Sequence, residues 1–147
     1  MEPGDEFLQA FRGRFIGIMD WNQLDEFWHT LEGLANEGWY IYAMGEDVPT
    51  EPGETSQVVD FIHEINALLR KEHQEDYCGI VYTDNKTAPS IIKIFDPSNL
   101  GVVCGFSDNP PLPGWVMSKI PPVTLDENTF LPANRRRWWR NLWKKAS

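Results

Sequence analysis

The chain has 147 residues, of which 41% are hydrophobic, 13% aromatic and 24% charged, the composition of one ordinary globular domain. That composition excludes a collagenous, coiled-coil or wholly disordered protein. The formal net charge of −9 conceals a division: residues 1–126 carry 21 acids and 7 bases, net −14, whereas residues 127–147 carry one acid and six bases, net +5.

The division predicts an acidic domain over 1–126 and a basic, Trp-rich interaction segment over 127–147. Glu2, Asp5 and Glu6 stand where a secretory leader would carry basic residues, and no apolar stretch approaches the ~20 residues needed to cross a bilayer. The expected location is therefore the cytoplasm.

From the N-terminus, Leu8, Phe11, Phe15 and Ile18 recur at helical spacing, and a helix is predicted over Asp5–Arg12. Gly13 and Gly17 weaken its continuation, so Arg14–Met19 has a strand as its alternative. Asp20 or Asn22 can cap a second helix, whose stripe is Trp21, Leu24, Trp28, Leu31 and Ala35. Asn36-Glu37-Gly38 reads as its ending, with Gly38 in the left-handed position. Trp39–Met44 is rich in aromatic and branched residues and predicts a strand. Glu46–Glu54, with two prolines, a glycine and four acids, is a loop.

Thr55 or Ser56 starts a long helix with Val58, Phe61, Ile62, Ile65, Leu68 and Leu69 on its buried face. Arg70 and Lys71 suit its C-terminal dipole. Tyr77–Thr83, Ser90–Phe95 and Leu100–Phe106 then follow as strands at hairpin spacing, separated by turn-forming Asp84-Asn85-Lys86 and Asp96-Pro97-Ser98-Asn99. Ser107–Gly114 is Pro-rich and extended, and Asn109–Trp115 reads as a wrap over the domain or a recognition segment. Trp115–Ile120 adds an edge strand. The class that results is α+β: an antiparallel sheet of about four or five strands, two or three helices packed on one face, and a C-terminal amphipathic helix.

No familiar catalytic or cofactor fingerprint is present. Glu26-x-x-His29 and Asp60-x-x-His63 have the carboxylate–histidine spacing of a di-iron bundle. At about 100° per residue, however, both pairs lie opposite the apolar stripes of their helices and face water. His73 falls in a mixed-charge helix end, Lys71–Asp76, and reads as a solvated turn. Cys78 and Cys104 sit in apolar strand-like runs and read as buried thiols, with a cross-strand disulfide as the alternative. Neither G-x-G-x-x-G nor G-x-x-x-x-G-K-[ST] occurs, and the acidic loop lacks EF-hand spacing. No catalytic residue, metal site or cofactor is expected.

The tail carries the functional expectation. On a helical wheel of about 100° per residue, Trp138, Trp139, Leu142 and Trp143 fall within roughly 140°. Arg136, Arg137, Arg140, Lys144 and Lys145 occupy the remaining arc. A helix of about twelve residues is marginal alone in water, so its indole face needs a surface to cover it. Four surfaces fit: the protein's own acidic body, a groove on another protein, an anionic membrane surface, and nucleic acid. The acidic body repels phosphate and anionic lipid, which places the first two ahead. The expectation is a non-enzymatic interaction or adaptor protein. Trp138, Trp139, Leu142 and Trp143 are its apolar anchors, and Arg136, Arg137, Arg140 and Lys144 its electrostatic rim. The alternatives are a small enzyme with a site assembled from distant residues and reversible membrane association.

Overall fold

The computed structural model describes residues 4–76, 78–97, 112–125 and 133–146, with side chains for 137–143 in the last segment. The strand expected over Leu100–Phe106, Cys104, Asn109–Pro111, and the side chains of Arg136 and Lys144 lie outside the described residues. Among the described residues, four helices and five strands follow in the order α1 (Asp5–Phe11), β1 (Ile16–Ile18), α2 (Trp21–Gly33), β2 (Tyr40–Ala43), α3 (Thr55–Glu72), β3 (Val81–Thr83), β4 (Ile91–Ile94), β5 (Trp115–Ser118) and α4 (Ala133–Ala146). The strands form one sheet, wholly antiparallel, in the order β1-β3-β4-β5-β2.

Local chemistry sets the helix ends. Asp20 caps α2 by accepting the Asn22 N–H at 2.7 Å. The helix stops at Gly33, earlier than expected. Tight bonds from Leu34, Ala35 and Glu37 back to the carbonyls three residues earlier then carry the chain to Gly38, at φ 84°. Glu54 precedes α3 and forms a reciprocal capping box with Gln57, whose Oε1 accepts the Glu54 N–H at 2.8 Å.

The α3 stripe from Val58 to Leu69 is buried as its spacing predicts. It meets Leu24, Phe27, Trp28 and Leu31 of α2 over one face of the sheet, formed by Ile18, Ile41, Ala43, Val81, Ile92, Ile94, Trp115 and Met117. The alternate residues of the strands face the other way. There Tyr42, Met44, Ile91 and Val116 pack with Phe7 of α1, so the sheet is covered on both faces.

Two expectations are corrected. Trp115–Ser118 is not an edge strand: it lies between β4 and β2, and all four of its residues are buried. β2 enters from between two helices and adds outside it, a non-local pairing that the run of hairpin spacings conceals. His73 is not a solvated residue; it is buried against Trp21, and its Nε2 lies 2.9 Å from the Cys78 carbonyl oxygen. The described end of the Pro-rich segment wraps the sheet, with the Gly114 N–H donating to Ile94 at 2.8 Å and its carbonyl accepting from Met44 at 3.0 Å.

Two polar groups give this fold a pH signature. The Asp84 carboxylate closes the β3–β4 turn by accepting from the Ser90 and Ile91 N–H groups, at 2.9 and 3.2 Å, and from the Ser90 hydroxyl. Burial pushes this carboxyl up, but the Ser90 and Ile91 donors outweigh it and hold the group below its ordinary value. On the α1 face, the Lys93 ammonium sits 4.1 Å from the Phe11 ring centroid and 4.0 Å from that of Phe15. Burial pushes its pKa down.

Opposite pH dependences follow. Asp84 contributes stability above its unfolded-state pKa and loses it as pH falls through the depressed folded value. Urea melts from about pH 7 to about pH 2 should therefore show Asp84→Asn less stable near neutrality and flatter on the acid side. Lys93 loses its proton sooner when folded, so stability rises as pH climbs from the depressed value toward about 10.4, the ordinary lysine pKa. Lys93→Met should abolish that alkaline gain.

Candidate functional site: the docked C-terminal helix

The helix spans Ala133–Ala146. It brings together the apolar residues that the wheel placed on one flank. Leu142 is only 4% exposed and belongs to the main core, and Trp138, Trp139 and Trp143 pack against that core. Phe61 of α3 is the centre of the contact, with ring centroids 6.4 Å from Trp138 and 6.2 Å from Trp139, both edge to face. Trp138 also meets Trp115 of β5 at 5.7 Å, and Trp139 meets Trp143 at 5.0 Å. Edge-to-face geometry at these distances adds about 0.5–1.5 kcal/mol per pair beyond the area buried.

The opposite arc is open: Arg137, Arg140 and Asn141 are exposed. The surface that covers the indoles is therefore the protein's own body. The helix joins α3 and β5, with its described cations turned to water.

The histidines assemble differently from the spacing motifs. Asp60 and His63 are exposed, as are Glu26 and His29. Neither carboxylate-x-x-His pair closes on itself. Instead His63 Nε2 lies 2.7 Å from Glu32 Oε1, joining α3 to α2. One turn along, Asn66 Oδ1 accepts the Trp28 indole N–H at 3.1 Å. A further turn along, the Arg70 guanidinium donates to Asp25 Oδ1 at 2.5 Å and stacks 4.9 Å from the Trp21 ring centroid. These three rungs form a polar seam between antiparallel helices. Beside them opens a groove of about 320 Å³ lined by Asp25, Trp28, His29, Glu32, Ile62, His63 and Asn66.

A seam of this kind escapes sequence reading because each rung joins residues 31 to 45 positions apart. The available signal was the matched spacing of Asp25, Trp28 and Glu32 with His63, Asn66 and Arg70. His63 keeps 63% of its side-chain surface in water, and exposed ion pairs contribute only about 0–1 kcal/mol.

Among the described residues no group of three or more His, Cys, Asp or Glu side chains could hold a metal ion, and no helix is long and apolar enough to cross a membrane. Cys78 is a buried free thiol whose pKa burial pushes up, the opposite of nucleophile activation. Comparison with family models, curated proteins and solved structures finds no match for this chain.

Leu142→Ala should cost about 2–5 kcal/mol, the price of a buried leucine cavity, whereas Arg140→Ala should stay within about 0.5 kcal/mol. Asn66→Ala should cost about 1–3 kcal/mol, since it strands the Trp28 N–H. Chemical denaturation of the three variants checks the ranking.

Proposed function

We propose that this chain is a small, non-enzymatic interaction protein of the adaptor kind. Its C-terminal helix is clamped to its own body by Trp138, Trp139, Leu142 and Trp143 and offers its outward cations to a partner protein. The observation that carries this reading is the separation of the two flanks of α4, with Leu142 in the core while Arg137 and Arg140 face solvent. A basic ridge on a chain of net charge −9 sets orientation as well as attraction, because an acidic partner surface is drawn to the ridge and repelled elsewhere. By sequence spacing alone, Arg136 and Lys144 share the wheel's cationic arc with Arg137 and Arg140. The buried free thiol of Cys78 suits a reducing, cytoplasmic setting.

The intramolecular clamp also supports a protein partner over a membrane. Inserting the indoles into lipid requires their withdrawal from Phe61 and Trp115, and the acidic body opposes approach to anionic headgroups. Sedimentation with anionic vesicles at low salt, if seen, would favour the membrane reading.

The test is Arg137→Glu/Arg140→Glu, which reverses the ridge without touching the clamp. The melting temperature should remain that of the parent chain, while proteins retained by the parent in affinity capture are lost. An unchanged set of retained proteins sinks the proposal. Deletion of 128–147 should instead expose Phe61 and Trp115 and lower solubility.

A second reading, an enzyme working at the α2–α3 groove, is favoured by the gathering of His29, His63, Asp25 and Glu32 there. Small-molecule screening by NMR should then shift the His29 and His63 imidazole resonances, and their silence across a broad metabolite set removes this reading.

A further inference from the structure

The two edges of the sheet are not alike. Beside β2, the loop after it returns to hydrogen-bond the chain, with the Gly53 N–H donating to the Trp39 carbonyl at 2.8 Å. β1 has a paired side, toward β3, and an outer side.

The hydrogen-bond parity of the sheet fixes what that outer side presents. The Phe95 N–H donates to the Ile80 carbonyl at 2.8 Å and the Asp84 N–H to the Ile91 carbonyl at 3.4 Å, which commits the even-numbered residues of β3 to β4. Val81 and Thr83 therefore bond to Ile18 and Ile16, their partners in register. The N–H and C=O of Gly17 are left pointing off the sheet, with no further strand beside them among the described residues. Ile16 and Met19, 47% and 50% exposed, are the exposed large hydrophobics among the described residues, and both flank this edge.

We propose that β1 is the pairing edge for a second copy of this chain, joined antiparallel about Gly17 into a two-fold dimer with one continuous sheet. The argument for a second copy is the charge register. In an antiparallel pairing centred on Gly17, Ile16 of each copy meets Ile18 of the other, Phe15 meets Met19, and Arg14 meets Asp20. Arg14 and Asp20 are both exposed. Two opposite-charge pairs thus form by symmetry from one arginine and one aspartate per chain, the self-complementarity that an isologous interface requires. The two Gly17 residues exchange both of their outward hydrogen bonds, and Ile16 and Met19 are covered. Edge strands that natural proteins keep monomeric usually carry lysine or proline at such positions; β1 reads Ile-Gly-Ile.

Sedimentation equilibrium up to about 1 mM, a concentration that reveals even weak association, tests the pairing. The parent chain should dimerise. Arg14→Asp and Asp20→Lys should each weaken self-association at least about tenfold, since each places two like charges face to face. An equimolar mixture of the two variants should associate again, because each heterodimer restores both opposite-charge pairs. Met19→Lys, which leaves the α2 cap intact, should also yield monomers with unchanged far-UV circular dichroism. A monomeric parent chain, a dimer indifferent to all three variants, or a mixture that stays monomeric overturns the proposal. So does a parent chain that protects its Gly17 amide only when a strand from a different protein is added.

Discussion

The structure turns on one aromatic junction. Phe61, near the middle of α3, receives the edges of Trp138 and Trp139, and Trp138 in turn meets Trp115 on a central strand. Remove the C-terminal helix and a phenylalanine and a tryptophan that are now fully buried lose the rings packed against them. A helix with six cations among its fourteen residues would gain little from folding alone. It is held because Leu142, buried, and Trp138, Trp139 and Trp143, half-buried, share one face, each contributing in proportion to the apolar area it removes from water. The constraint runs both ways: the body needs the cover, and the segment needs the body to be a helix.

The junction also explains why charge and packing are separated so cleanly. The helix has no acidic residue to form internal ion pairs, and its described cations, Arg137 and Arg140, are left to water and to whatever approaches. Residues 1–126 carry a net charge of −14, so the helix and the domain it covers are opposite in sign. The sheet solves a different problem on its other face. There Lys93 projects from a central strand, and its ammonium lies over the faces of Phe11 and Phe15.

Much of this was legible in the residues, for physical reasons that differ from place to place. The α3 stripe from Val58 to Leu69 has a period that only a helix can bury on one side. Asp20 stands where an N-cap acceptor is needed, and Trp138, Trp139, Leu142 and Trp143 fall on one flank by wheel geometry alone. What escaped reading was non-local. Nothing local to Trp115–Ser118 says that Tyr40–Ala43 will add outside it, although four buried residues in a row are the mark of an inner strand. Leu8 and Phe11 identify α1 as amphipathic but not which face of the sheet it covers. Glu32 and His63 meet because two helices run antiparallel, a fact of tertiary packing that neither helix records.

The edge-to-face contact of Trp139 and Trp143, at 5.0 Å, has a spectroscopic consequence. Indoles this close and this nearly perpendicular couple their electronic transitions, and the coupling vanishes when the rings drift apart. With Trp138 coupled to Trp115 through the neighbouring contact, attachment of the last helix writes itself into the ultraviolet spectrum of the chain. Clamped and released forms of the molecule are thereby distinguishable by light alone, with no foreign label on either partner of the junction.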